Sequence, residues 1–186
     1  MSDLRRQLAG ILRHGGLLEL PEPVQLASGD LSRYFVDCKK ALAGGGDLKL
    51  AGEAIVDTVA ELGVAFDAAG GLTMGADCIA HAVALLTGAE WFSVRKQEKG
   101  RGTRKRIEGA TLGPGRRVLL LDDVVTRGGS IVDALEAIRE TGAAVVAAVA
   151  LVDRGEYGEK KFAEEGIPYR PLVTYDDLGI PAVGRE

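Results

Sequence analysis

The stretch Val118-Leu119-Leu120-Leu121-Asp122-Asp123-Val124-Val125-Thr126-Arg127-Gly128-Gly129-Ser130 constrains the fold of this chain more than any other. An unbroken apolar run such as Val118 to Leu121 fits a strand buried on both faces, as occurs when helices cover both sides of a parallel sheet. Two adjacent carboxylates then reach the C-terminal end of that strand, where open parallel sheets bind ligands. The loop behind them carries two glycines and opens a helix from Ser130 to Glu140, with Ile131, Leu135 and Ile138 turned inward. A central strand, a tight loop and a helix are thus predicted in that order.

The rest of the chain repeats the alternation, which predicts an α/β fold with a central, mostly parallel sheet flanked by helices. Leu4, Leu8, Ile11 and Leu12 recur at helical spacing before the stop at Gly15-Gly16. Ile55, Val59 and Leu62 predict a second helix behind Asp47 as its N-cap, ended by Gly63 and followed by a strand at Val64-Ala65-Phe66. A glycine-rich turn from Gly70 to Gly75 is expected next, then a helix through Ile79, Val83 and Leu86 and a strand at Trp91 to Val94. Beyond the central unit come a strand from Val145 to Val152, a helix from Glu156 to Glu165 and a strand from Tyr169 to Val173. Between Lys96 and Gly109 the pattern vanishes: Lys96, Lys99, Arg101, Arg104, Lys105 and Arg106 crowd a stretch hinged by Gly100 and Gly102. A long basic loop in a compact domain is more often functional than idle.

The Asp122 to Ser130 string suits a phosphosugar. Glycines let backbone N–H groups approach a phosphate, the hydroxyls of Thr126 and Ser130 add donors, and the positive end of the following helix attracts the anion. Carboxylates beside it can accept hydrogen bonds from a ribose diol. Taken separately, Asp122-Asp123 reads as a polar strand end and Gly128-Gly129 as a turn with Ser130 as N-cap; the ordered whole favours a site.

With 186 residues, 46% hydrophobic and 27% charged, the chain is expected to form one domain across residues 1–186. The net charge of -4 argues against a general nucleic-acid binder. Met1 to Leu12 lacks the apolar core of a signal peptide, and no stretch approaches a membrane span. Cys38, Cys78, His14 and His81 show no metal-ligand spacing, so no structural metal is expected and the cytoplasm is the natural compartment.

The central string resembles the motif of the type I phosphoribosyltransferases that binds 5-phosphoribosyl diphosphate (PRPP). That resemblance implies the type I phosphoribosyltransferase fold, with a small N-terminal hood segment (about 1–45) and a mobile basic loop. It assigns PRPP to Asp122, Asp123, Val124, Val125, Thr126, Arg127, Gly128, Gly129 and Ser130. Arg127 stands where the family has a small residue or threonine, and either makes a charge contact or faces solvent. Gly70 to Asp77 resembles the diphosphate-binding loop, placing Thr73 and Met74 at PRPP, with Met74 removing a cationic contact.

Further likenesses narrow the family to the orotate phosphoribosyltransferases. Leu26-Ala27-Ser28-Gly29 and Tyr34-Phe35-Val36-Asp37 resemble the segment that covers the base, which assigns Tyr34 and Phe35 to orotate together with Thr126. Judged alone, that segment fits a turn and a strand with core aromatics equally well. Arg95-Lys96-Gln97-Glu98-Lys99 resembles the start of the catalytic loop, whose cations reach the diphosphate of the neighbouring subunit; Arg101 stands where the family has a histidine, and an arginine does not exchange protons near neutral pH. A solvated basic loop is the plainer alternative. Arg154 matches the arginine beside the base, whose guanidinium can grip the orotate carboxylate, although an ion pair with Asp153 or Glu156 would also explain it.

The resemblance therefore implies transfer of the phosphoribosyl group from PRPP to orotate, giving orotidine 5-phosphate and diphosphate in pyrimidine biosynthesis. Asp123, Lys96, Lys99 and Arg101 are the expected catalytic residues. Magnesium is expected to ride on the diphosphate, with no protein ligands assigned. A homodimer with shared sites follows from the family. Two competing readings keep the fold: a phosphoribosyltransferase for another base, and a PRPP-sensing regulator for which Arg104-Lys105-Arg106 would contact nucleic acid.

Overall fold

In a computed structural model of the chain, residues 1–26, 28–96 and 106–183 are described. The elements run α1 (Asp3–Gly15), β1 (Leu17–Gln25), β2 (Leu31–Val36), α2 (Cys38–Ala41), α3 (Gly45–Glu61), β3 (Ala68–Leu72), α4 (Asp77–Thr87) and β4 (Glu90–Val94). They continue with β5 (Ile107–Gly109), β6 (Arg117–Val125), α5 (Gly129–Arg139), β7 (Ala144–Asp153), α6 (Tyr157–Glu164), β8 (Tyr169–Thr174) and α7 (Tyr175–Leu178). The large sheet has the order β5-β4-β3-β6-β7-β8. All its pairings are parallel except that of β5 with β4.

The apolar run of β6 occupies the middle of that sheet, between β3 and β7, and its side chains divide between the two faces. Leu119 and Leu121 join a cluster with Leu8 and Leu12 of α1, Ile55 and Val59 of α3, and Ile79 and Val83 of α4. Val118 and Leu120 join the opposite cluster with Phe92, Phe162 and the α5 residues Ile131, Leu135 and Ile138. The two-residue period of a strand makes this division unavoidable once helices lie on both sides. Each fully buried leucine or isoleucine contributes about 1.5–3 kcal/mol, so both faces hold β6 firmly in place.

Strands β1 and β2 form a separate antiparallel ribbon, paired from Leu17 with Val36 to Gln25 with Leu31 and irregular between Glu19 and Val24. Helices α1 and α2 belong to the main core rather than to this hood, because Leu8, Leu12, Cys38 and Ala41 are buried within the first cluster.

Three local expectations are corrected. Asp47 is not the N-cap of α3; Gly44 is, and Asp47 lies in the first turn, where a carboxylate meets the positive end of the helix. Val64-Ala65-Phe66 is no strand: Val64 and Phe66 pack half-buried against the core, and the strand begins at Ala68, in register with Val118. Gly70 and Gly71 belong to that strand rather than to a turn. A Cβ on Gly70 would lie 2.8 Å from the Phe92 carbonyl carbon, and one on Gly71 2.9 Å from the Ala76 Cβ, closer than real side chains come. Glycine there reflects close strand packing, which composition mimics as a turn signal.

Candidate active site

The C-terminal ends of β6 and β7, the loop into α5, the hood ribbon and α2 enclose a cleft of about 240 Å3. Asp122, Asp123, Val124, Thr126, Arg127, Gly128, Gly129, Ser130 and Arg154 line it, joined by Leu26, Ser28, Phe35, Val36 and Lys39.

The two acids differ sharply in environment. Asp122 is buried, its Oδ1 accepts the Asp123 N–H at 3.0 Å, and its Oδ2 has no hydrogen-bond partner among the described residues. Burial, reinforced by the neighbouring Asp123 charge, pushes its carboxyl up to about 8, which favours the protonated form, able to donate a hydrogen bond, well above the usual carboxylate range. Asp123 is held in place from several sides. Its Oδ1 accepts the Val124 N–H at 2.9 Å, its Oδ2 faces the Lys39 Nζ at 3.3 Å, and Gly75 leaves room for the carboxylate where a Cβ would sit 2.8 Å from its Cγ. The pair thus combines a neutral donor with an acceptor paired to a cation, which suits two adjacent sugar hydroxyls. Cys38 donates to the Asp123 carbonyl at 3.8 Å, and burial pushes its thiol well up, so it packs and does not react.

Helix α5 starts at Gly129 behind Gly128, whose φ of 67° is left-handed and whose position makes no side-chain cap. Ser130 is therefore not the N-cap, and the first-turn N–H groups are left without a capping side chain beside the cleft. A helix start of this kind is an anion site.

Arg154 has its guanidinium on the hood. NH1 donates to the Tyr34 carbonyl at 2.8 Å and NH2 to Ser32 Oγ at 3.1 Å, while its N–H donates to the Val125 carbonyl. Arg127 reaches the hood as well, through two bonds to Asp30 of 2.7 and 2.6 Å, and so makes a charge contact rather than facing solvent alone.

Several expected site residues are not part of this cleft's lining. The Tyr34 side chain packs against the core, and only Phe35, 42% exposed, lines the cleft, because neighbouring residues of a strand face opposite sides. The same alternation puts the Val125 side chain in the core beside α5. Thr73 Oγ1 donates to Asp77, which also accepts from Ser93, so Asp77 anchors the loop that brings Gly75 to Asp123. Met74 is 71% exposed and lies away from the cleft lining. Arg95 pairs with Glu108 at 3.5 Å, and Lys96 is exposed; Lys99, Arg101, Arg104 and Lys105 lie outside the described residues. Arg106 is committed to Asp133 and to the Arg95 carbonyl. Lys39, Asp30 and Ser32 escaped sequence reasoning, because nothing in their local pattern announces a partner on β6, on the β6–α5 loop or just beyond β7.

Among the described residues no cluster of three or more histidines, cysteines or carboxylates is poised for a metal, and no helix is long and apolar enough to cross a membrane.

Comparison with known proteins agrees with this geometry. Residues 68–165 match the phosphoribosyl transferase domain family. The orotate phosphoribosyltransferase of Aquifex aeolicus is 42% identical over 180 residues, covering 94% of this chain and 97% of that protein. That of Streptomyces coelicolor is 38% identical, covering 97% and 100%. The crystal structure of the Mycobacterium tuberculosis orotate phosphoribosyltransferase in complex with PRPP superposes with a TM-score of 0.78 at 31% identity, covering 95% of this chain and 99% of that one.

Proposed function

Because the chain belongs to the orotate phosphoribosyltransferase family, we propose that it transfers the 5-phosphoribosyl group from PRPP to a ring nitrogen of orotate, releasing diphosphate and forming orotidine 5-phosphate. The observation that carries the proposal is the acid pair Asp122-Asp123 at the end of the central strand, set beside the uncapped start of α5.

In this reading the sugar's 5-phosphate rests on the loop Thr126 to Ser130, whose N–H groups and hydroxyls supply donors. Asp122 and Asp123 hold the ribose diol. As the bond from the anomeric carbon to diphosphate breaks, the diphosphate leaves with the electron pair, and positive charge develops on the ribose ring as in other glycosyl transfers. The ring nitrogen then supplies the electrons of the new bond and gives up its proton to the departing diphosphate or to solvent. Asp123, kept close to Lys39, orients the sugar and stabilises that charge. Lys96, Lys99, Arg101 and Arg95 are assigned to the departing diphosphate, whose negative charge needs cations in a water-poor site. Thr73 and Met74 are assigned to the diphosphate loop.

For the base, Phe35 supplies an apolar face and Thr126 a hydroxyl, while Arg154, its guanidinium bonded to the hood beside Phe35, lines the same cleft and is assigned to the orotate carboxylate. Magnesium would come as part of the PRPP substrate. The Asp123 carboxylate, which lines the cleft, offers the hard oxygens it prefers. A single-domain, cytoplasmic homodimer with shared sites completes the proposal and rests on family membership.

The test is orotate consumption followed by ultraviolet absorbance with PRPP and magnesium, with adenine, hypoxanthine, xanthine and uracil in parallel. Loss of orotate that depends on PRPP and collapses in Arg154→Ala supports the reading. Turnover of another base with none of orotate overturns it.

A further inference from the structure

The hood and the loop Thr126 to Ser130 both line the cleft, and they are joined directly. Arg127 lies in the middle of the loop Thr126 to Ser130, and its Nε and NH2 donate to Oδ2 and Oδ1 of Asp30 at 2.7 and 2.6 Å. Two parallel bonds between planar groups fix orientation as well as distance. Asp30 is itself positioned, since its carbonyl accepts the Leu26 N–H at 2.8 Å and closes the hood turn. Its side chain is 13% exposed against 65% for Arg127, so the carboxylate is sheltered and the guanidinium comes to it.

Arg154 fastens the same ribbon further along, at Ser32 and Tyr34. The hood, which lines the cleft through Leu26, Ser28 and Phe35, is thereby held at Asp30 from the loop that follows β6 and along β2 from the end of β7. Arg127 occupies a position within the phosphate-binding string, so whatever orders that string also orders its partner in the hood.

We propose that the Arg127–Asp30 pair is a clasp through which the phosphosugar loop sets the position of the hood, making both positioning residues for the base half of the reaction. The proposal rests on the assignment of phosphosugar to the loop and of base to the hood side. Its consequence is coupling. PRPP bound on the loop stabilises Arg127 where it already meets Asp30, the hood is held over the base compartment, and orotate binds a formed pocket rather than paying to form it.

The test is steady-state kinetics of wild type, Asp30→Asn, Arg127→Thr, Arg127→Lys and the double variant Asp30→Asn/Arg127→Thr, each checked for an unchanged melting temperature. Asp30→Asn is expected to raise KM for orotate roughly threefold to tenfold, within the lower part of the range of coupling between groups in one hydrogen-bond network, with KM for PRPP within about twofold. The double variant should be no worse for orotate than Arg127→Thr alone, and Arg127→Lys should restore part of the loss. An unchanged orotate KM in Asp30→Asn, or penalties that multiply in the double variant, overturns the clasp while leaving the transferase reading intact. Should wild type not turn orotate over, that reading fails by itself. The clasp is then judged by amide exchange of residues 28–36 with and without PRPP, which must slow on PRPP addition in wild type and not in Asp30→Asn.

Discussion

Replacing Gly75 by alanine should damage the ribose site while leaving the fold intact. Gly75 follows the loop residues Thr73 and Met74, and a Cβ built on it meets the Asp123 side chain, 2.8 Å from Cγ and 3.1 Å from Oδ2. Ordinary contact begins at 3.4 Å, so Cγ must retreat by about 0.6 Å and the nearer oxygen by more. That retreat is resisted, because Oδ1 accepts the Val124 N–H at 2.9 Å and Oδ2 pairs with Lys39 at 3.3 Å. The carboxylate therefore gives up its supports and its aim together. A displacement approaching 1 Å in a positioning group costs up to about 100-fold in rate, so kcat/KM for PRPP should fall roughly 30- to 100-fold. The backbone tolerates alanine, since Gly75 is not among the left-handed glycines. The melting temperature should thus move little. Gly71→Ala is the contrast: its Cβ would press on the Leu121 carbonyl, which is main chain and cannot swing aside, so loss of folded protein is expected. A Gly75→Ala enzyme within twofold of wild type in kcat/KM, with unchanged stability, would refute the role given to this contact and to Asp123.

Other outcomes follow from the same geometry. Burial raises Asp122 to about 8, so between the usual carboxylate range near 4 and that value the folded state keeps a proton that the unfolded chain has released. Stability contributed by Asp122 is therefore complete at low pH and is lost as pH rises toward about 8, at no more than about 1.4 kcal/mol per pH unit; urea denaturation at pH 5 and pH 8 should show a shallower decline in Asp122→Asn, and equal slopes would sink the assignment. Asp153, also raised by burial, keeps its share of the slope in both proteins. Arg154→Ala should raise KM for orotate on the order of 100-fold through loss of charge-assisted bonds, and Arg154→Lys should not restore it, because one ammonium cannot replace a fork that also spans Ser32 and Tyr34. Phe162→Ala, which removes a buried ring stacked at 5.2 Å on Tyr169 and remote from the cleft lining, should cost about 3–5 kcal/mol in chemical denaturation while kcat/KM measured well below the melting point stays near wild type.

What the chain's own pattern determines is whatever rests on neighbours along the sequence. The run Val118 to Leu121 is a buried strand because its residues are apolar on both sides of a two-residue period, and Asp122-Asp123 follow it to the ligand end of the sheet for the same reason. The helices of Leu8, Ile55, Ile79 and Ile131 were legible because apolar stripes repeat at helical spacing. The tight loop into α5 was legible because two glycines follow the strand end and precede an apolar stripe at helical spacing. Tertiary structure alone decided the rest. Gly70 and Gly71 look like turn residues until neighbouring strands approach them; Tyr34 and Phe35 are equivalent aromatics until the ribbon's pleat sends one inward and the other to the cleft. Lys39 gains its meaning from Asp123, and Arg127 from Asp30, partners 84 and 97 residues away along the chain. The proton on Asp122 belongs to neither residue type nor spacing, since it arises from burial beside a second charge, a property that exists only once the chain has closed around it.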